Sequence, residues 1–571
     1  MFRAFQSRAA RRVAAASVVV GATGTALKDD TESSIARFGR SLYHAALVGL
    51  DYKYGAAAKL PPGSEEQLRA KSATHQRAAD RLLGVCLLHG GLYIKLGQFV
   101  ASMNHVLPSE YPTTLAACQD RANAVPFDDI RAVVERELGR PLDEAFLEFE
   151  ASPIAAASLA QVHRAVAADG RAVACKVQYP KLPTQVAADM RTMRVLATLL
   201  SRAFPEHEYT WLLPEFEQSI SEELDFRHEA RNAAETSANF SDDPRIHVPL
   251  VLEELSSERV LTMEFIDGVK LTDAEGLSAL GLDGRELAHI VSTAFSKMIF
   301  AHGLVHCDPH AGNLLARRLP GDDKGGAPSS RRRAQLVLLD HGMYRRLGEP
   351  FRRNYSALWT GLLTGDHASG REAALALGVP NDDYDALALV LTFRPAGSTL
   401  AIGARITKEE RRKLRAKYGK LGASDVNAFL ERLPRDMLFV MRTWSLVRSL
   451  NRALGGTTRQ RLLVIAEHAA AGTITGSAFR AAWARLRMRL LVRVVDYMSV
   501  AMVVAVSAWH RFTSTMTSGR LFGSSNGAGA EDAGAPDEAP NGTSAADPRL
   551  GARLTAPIAG KRSKDRLREL G

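Results

Sequence analysis

The chain has 571 residues, enough for two or more domains with cores of their own, and its 46% hydrophobic and 24% charged content belongs to a globular protein and not to a disordered one. The net charge of +10 is weak support for a nucleic-acid partner, since the excess sits largely at an arginine-rich start and a basic end, and it suits an anionic membrane surface at least as well. Four widely separated cysteines (Cys86, Cys118, Cys175, Cys307) form no Cys-x-x-Cys pair, which argues against both a disulfide framework and a structural zinc site.

The first 28 residues carry Arg3, Arg8, Arg11, Arg12 and Lys28 and no acid before Asp29, with alanine and serine filling much of the rest. That is the composition of an organelle transit peptide, a basic amphipathic helix, with a plain basic tail as the alternative. The uncharged run 13–27 is short for a membrane span. Residues 78–103 then read as one long apolar helix carrying Leu82, Leu83, Leu87, Leu88, Leu92, Leu96 and Phe99. Gly84, Gly91 and Gly97 weaken it, so close packing against another element is expected to compensate. Lys95 and Gln98 share one face of this apolar helix, and a snorkelling lysine accounts for Lys95 as well as any function does.

Next comes a small-residue turn, Ala155-Ala156-Ala157-Ser158, entering a strand through Leu159-Ala160-Gln161-Val162-His163. Asp169-Gly170 marks a tight hairpin, and the chain returns with Lys176 on the second strand. Turn, strand, hairpin and lysine strand match the nucleotide end of a kinase N-lobe: small residues let the backbone approach phosphates and the lysine neutralises them. Alanine stands where glycine is usual, and packing beside the preceding helices is the competing explanation for these small residues. A helix from Pro214 to Asn239 contains the acid-rich run Glu222 to Glu229, a source for the glutamate that holds the strand lysine or simply a solvated face. Arg259–Ile266 is a strand, Asp267-Gly268 a hinge, and Leu287–His302 an amphipathic helix closed by Gly303.

That helix delivers Gly303–Leu315, the densest chemistry in the chain. His306, Asp308, His310 and Asn313 fall within eight residues, and Asp308 precedes Asn313 by five, the spacing of a kinase catalytic loop. Alone, the cluster could equally be a metal nest or a capped turn. Gln335–Gly342 is a buried strand ending in Asp340, where kinases place a second metal-binding acid. Residues 317–334 between them form a polar insertion. Helices continue through 351–454; 488–509 is strongly apolar but broken by Arg493 and Asp496, a packing helix or a membrane-associated one; and 523–547 is low-complexity.

Taken in order, Lys95-x-Gly-Gln98, the alanine turn with Ser-Leu-Ala-Gln-Val-His, Glu223-Leu-Asp225-Phe, His306-Cys-Asp-Pro-His-x-Gly-Asn313 and Leu339-Asp-His-Gly342 resemble the UbiB family of atypical, protein-kinase-like aarF-domain kinases, its mitochondrial subgroup above all. The resemblance covers about residues 80–345 and implies an α+β, two-lobed kinase-like fold with a helical extension over the active cleft and a mainly helical C-lobe. The implied division is a transit peptide at 1–28, the extension at 29–150, an N-lobe at 151–268, a C-lobe at 269–515 and a disordered tail at 516–571. It further implies that Lys176 pairs with Glu229, that Asp308 and Asn313 form the catalytic loop, that Asn313 and Asp340 hold magnesium, and that Ala155–Ser158 face ATP. Lys95 and Gln98 would meet Glu223 and Asp225 over the place where an ordinary kinase binds peptide. The expected activity is phosphoryl transfer from ATP to water or a small or lipid-like acceptor, in mitochondria (or a plastid), at a membrane surface, with lipid or quinone-pathway partners and no nucleic acid. A conventional serine/threonine kinase and a silent nucleotide-binding scaffold are the other classes.

Overall fold

The computed structural model describes residues 34–61, 63–102, 107–118, 124–204, 212–321, 333–392, 412, 429, 432–474 and 479–491. The expected transit peptide, the low-complexity tail, most of 488–509 and most of the 317–334 insertion lie outside the described residues.

Three helices open the chain: α1 (Ser34–Tyr54), α2 (Glu65–His89) and α3 (Gly91–Ser102). Ser64 caps α2 by accepting from the Gln67 amide. The long helix expected over 78–103 is two helices, because Gly90 and Gly91 adopt φ of 64° and 48°, left-handed values that turn the chain between α2 and α3. Gly97 has the expected packing role: a Cβ there would lie 2.5 Å from Cys118 Sγ. All four cysteines are free and buried.

The first sheet follows α4 (Phe127–Leu138) and runs β1 (Phe146–Phe149), β3 (Ala160–Ala167), β4 (Ala172–Gln178), β6 (Val260–Glu264), with β2 (Ala155–Ala156) paired to β3. All of its pairings are antiparallel. Gly170, at φ 83°, closes the β3–β4 turn, and Asp169 accepts from the Arg171 amide at 3.0 Å. Alternation on β4 buries Val173, Cys175 and Val177 against Ile130, Val133 and Val134 of α4. With β1 pairing Phe146 to Ala167, the lobe begins ahead of the expected boundary at 151; its core already includes α4.

Between β4 and β6 the chain inserts α5 (Leu182–Ala203), α6 (Leu212–Glu223) and α7 (Phe226–Asn239). The single helix expected over 214–239 is interrupted at Leu224-Asp225, where Asp225 takes an extended conformation and caps α7 through the Arg227 amide. Phe216 and Ile220 of α6 and Val186, Met190 and Met193 of α5 bury against Cys86, Leu92 and Ile94. So the N-terminal helices share one core with the insertion. A buried ion pair crosses it: Arg37 Nε reaches Asp189 Oδ1 at 2.9 Å and Arg37 Nη1 donates to the His89 carbonyl at 2.8 Å.

Residues 265–268 lead from β6 into the second sheet, β5 (Ile246–His247), β10 (Ala334–Leu338), β9 (Leu314–Arg318), β7 (Val269–Lys270). A two-stranded ribbon joins β8 (Leu304–His306) to β11 (Tyr344–Arg346). Behind them stands α8 (Gly284–Ser296), continued by a π-helical turn to His302 and closed by Gly303 at φ 75°. It is amphipathic as expected, with Arg285, Glu286, His289, Ser292, Thr293 and Ser296 along one side, yet Ser292 and Ser296 are buried too, because α9 (Glu349–Thr364), α12 (Arg435–Ala453) and α13 (Thr458–Gly472) enclose the helix with α10 (His367–Ala376) and α11 (Tyr384–Thr392) in one core. Two sheet-bearing lobes joined by a short link, with helices dominating the second, make the α+β kinase-like fold the motifs implied.

Candidate active site

Lys176 sits on the face of β4 opposite the α4 core, so its side chain points toward α7. Its Nζ donates to both oxygens of Glu229 at 2.8 Å and to Asp340 Oδ2 at 3.3 Å, and lies 5.1 Å from the centre of the Phe226 ring. Glu229 is held in the first turn of α7, where it also accepts from the His341 amide at 3.4 Å. Two carboxylates thus share one ammonium. Burial pushes the Lys176 ammonium down, but the Asp340 and Glu229 carboxylates outweigh it and the net shift is upward. Burial raises Glu229 to about 7, a rise Lys176 opposes and Asp340 reinforces. Burial also opposes ionisation of Asp340, yet Lys176 and the Gly342 amide hold its carboxyl well below the usual range.

The loop after β8 is built from backbone turns. Cys307 N donates to the Met343 carbonyl (3.0 Å), His310 N to that of Asp308 (2.8 Å) and Asn313 N to that of His310 (3.0 Å). Asn313 Nδ2 donates to the Asp308 carbonyl at 3.2 Å, and Leu339 N donates to the Asn313 carbonyl at 2.9 Å, which fastens this loop to the segment carrying Asp340. Asp340 Oδ1 accepts from the Gly342 amide at 2.9 Å. Beneath lies a stack of His306, Tyr344 and His341, with His341 bonded through Nδ1 to the Tyr344 hydroxyl at 2.8 Å and drawn down to about 4 by burial and by His306. Among the described residues no three His, Cys, Asp or Glu side chains converge as a metal nest.

Arg442 of α12 falls in the helical stretch read over 351–454, with no site role expected, yet its Nη2 lies 3.3 Å from Asp308 Oδ1. The two are 134 positions apart, so no local pattern joins them.

The four residues expected to meet over the cleft, Lys95, Gln98, Glu223 and Asp225, part company. Lys95 Nζ pairs with Glu223, and the charges of Asp340 and Asp308 also act on it; burial lowers its pKa, these acids raise it, and the acids prevail. Gln98 Nε2 donates instead to the Cys118 carbonyl at 3.0 Å, and Asp225 is occupied as the α7 cap. Of the alanine turn, Ala155, Ala156 and Ala157 are exposed while Ser158 is buried. The Tyr179 hydroxyl steadies it by donating to the Ala157 carbonyl at 2.9 Å. Packing against the N-terminal helices falls to Leu159, which lies in their core, so packing does not explain the three alanines.

Asp340 supplies a carboxylate, and Asn313, its Nδ2 already committed, leaves an amide oxygen as a ligand; that pair suits a hard divalent cation completing its shell with phosphate and water. A strand lysine paired to a helical glutamate, an Asp–Asn loop and a strand-end aspartate define the protein-kinase-like class of phosphotransferase.

The profile of the ABC1 atypical kinase-like domain matches residues 117–374. AarF domain-containing protein kinase 1 of Xenopus laevis is 36% identical over 76% of this chain and 81% of its own length. AarF domain-containing kinase 1 of Drosophila melanogaster is 32% identical over 81% of this chain and 89% of its own. Among solved structures, Rv3197 of Mycobacterium tuberculosis in complex with erythromycin aligns with 69% of this chain and 95% of its own at 21% identity and a TM-score of 0.43. The chain belongs to the ABC1/AarF family of atypical kinases.

Proposed function

We propose that the chain is a mitochondrial, magnesium-dependent kinase or ATPase that passes the γ-phosphoryl of ATP to water or to a small or lipid-like acceptor and supports mitochondrial lipid or ubiquinone homeostasis. The observation that carries the chemistry is the closed pairing of Lys176 with Glu229 at 2.8 Å, with Asp340 at 3.3 Å from the same ammonium. Lys176 neutralises phosphate charge, Glu229 fixes Lys176, Asp308 orients the acceptor and takes its proton, and Asn313 and Asp340 hold magnesium. When bound, the metal supplies countercharge for the transferred phosphoryl.

Arg442 holds the Asp308 carboxylate in place, and Ala155–Ser158 cover the nucleotide. The Lys95–Glu223 pair on α3 and α6 supports a small acceptor over an extended peptide, because it brings the helical extension beside the charged groups that would serve the acceptor. The arginine-rich, acid-free start supports mitochondrial delivery. Purified chain should release phosphate from ATP with magnesium, and Asp308→Asn should reduce that release by about a hundredfold or more. Equal release by the variant, or faster transfer to peptide than to water, would reject this reading. A reporter carrying residues 1–40 should reach mitochondria, and Arg8, Arg11 and Arg12→Glu should stop it.

A further inference from the structure

Residues 479–491, Phe-Arg-Ala-Ala-Trp-Ala-Arg-Leu-Arg-Met-Arg-Leu-Leu, form a helix laid along α13. Among the described residues, Met488 buries against Ala466 and Ala470, and Arg489 bonds Glu467 at 2.8 and 2.6 Å. On the other side Phe479, Trp483, Leu486 and Leu490 are 81%, 60%, 43% and 51% exposed. At helical spacing these four fall in an arc of about 60° opposite Met488, along roughly 16 Å of axis. Arg480 and Arg487 border the stripe on one side, Arg485 and Arg489 on the other, and 479–491 contains no acid.

We infer that this helix is a docking surface for an anionic lipid bilayer, lying in the plane of the headgroups. Exposed aromatic and leucine side chains cost free energy in water, and a headgroup boundary removes that cost without a shaped pocket. Arg487 on one flank and Arg485 on the other can extend to lipid phosphates while their stems stay beside the stripe, whereas Arg489 is held by Glu467. A second copy of the chain is a poor occupant: a two-fold contact through this face would set one cationic border against its twin. A partner protein would have to bring acid to both borders at once, whereas a bilayer presents anions on every side. The surface is separate from the phosphotransfer site and goes beyond that reading.

The test is flotation of the full chain with phosphatidylcholine vesicles, with and without about one-fifth phosphatidylglycerol. Binding should appear on the anionic vesicles and weaken as salt rises. Phe479→Ser with Trp483→Ser should reduce it about tenfold or more, and Arg487→Glu about fivefold. Both variants change exposed side chains, so melting temperature and Mg-ATP affinity should match wild type. Wild type that ignores anionic vesicles would overturn the proposal, as would a double variant that binds them equally. A wild-type dimer in gel filtration that the double variant dissolves would give the surface to a second copy and overturn it too.

Discussion

Two lysine–glutamate pairs serve one cleft and differ in nearly everything but chemistry. Lys176–Glu229 is bidentate, with side chains 14% and 4% exposed, and shares its ammonium with Asp340. Lys95–Glu223 reaches one carboxylate oxygen, with 22% and 23% exposed, and its lysine comes from the N-terminal helices and not from the kinase sheet. A sealed pair fixes geometry; a half-open pair adds charge that water can still screen. Yet only Leu224 and Asp225 separate α6 from α7, so the grip of Lys95 on Glu223 bears directly on the helix that positions Glu229. The N-terminal block is therefore coupled to the nucleotide lysine through one short joint.

The sharpest break in this comparison is Asp340→Asn, which removes the acid common to both lysines. Mg-ATP affinity should fall about a thousandfold, roughly 4 kcal/mol, by calorimetry, with the native circular dichroism spectrum retained. Unchanged affinity would withdraw Asp340 as a metal ligand. Arg37→Leu should strike the N-terminal block alone: it strands the buried Asp189 carboxylate and should cost about 3 kcal/mol in denaturant titration. A loss below about 1 kcal/mol would mean the block is not held by that pair.

The sealed pair also has a pH signature. With its pKa raised from 4.5 to about 7 in the folded chain, Glu229 contributes stability that is full below 4.5 and lost as pH rises through about 7. Asp340 has the opposite sign: its pKa is lowered, so its contribution is present above 3.8 and disappears only in stronger acid. Ligand-free wild type should therefore lose stability relative to Glu229→Gln between pH 4.5 and 7 in thermal melts, and parallel curves would contradict it. Smaller still, Ala156→Gly should shift the balance of ADP and ATP affinity by about 1 kcal/mol, roughly fivefold, since glycine lets the exposed turn settle closer to phosphates. Equal titrations would assign no nucleotide role to the turn. Smallest is the half-open pair, whose coupling in a Lys95→Met, Glu223→Gln double-mutant cycle should be about 0.5 kcal/mol by melting. A coupling above about 2 kcal/mol would place it with the sealed pair.

What could be read from the sequence was local. Asp308 and Asn313 lie on one loop, so their spacing carried their geometry, and the strand ending in Asp340 showed as an unbroken apolar run. Glu229 could not be separated from Glu222 and Glu223 by pattern, because the break at Asp225 that rotates the two helices apart depends on a cap and not on periodicity. Gln98 looked like a partner for that acid run until the Cys118 carbonyl, 20 positions away, proved nearer. Arg442 reaches Asp308 only because the C-lobe helices enclose α8, a tertiary fact with no local trace. The same enclosure explains why the polar side of α8 is partly buried, at Ser292, Thr293 and Ser296.

The four buried cysteines also make the chain a convenient spectroscopic scaffold. Burial pushes the Cys175 thiol up to about 12 and the Cys307 thiol up to about 11. The Cys118 contact and burial raise Cys86, and Cys118, drawn down by Cys86, is itself buried. Maleimide reagents need an accessible thiolate, so the native fold should stay unlabelled while a cysteine placed on the surface reacts. One such label on α2 and another on α13 would turn the joint between the N-terminal block and the C-lobe into a distance that fluorescence can follow as nucleotide is added.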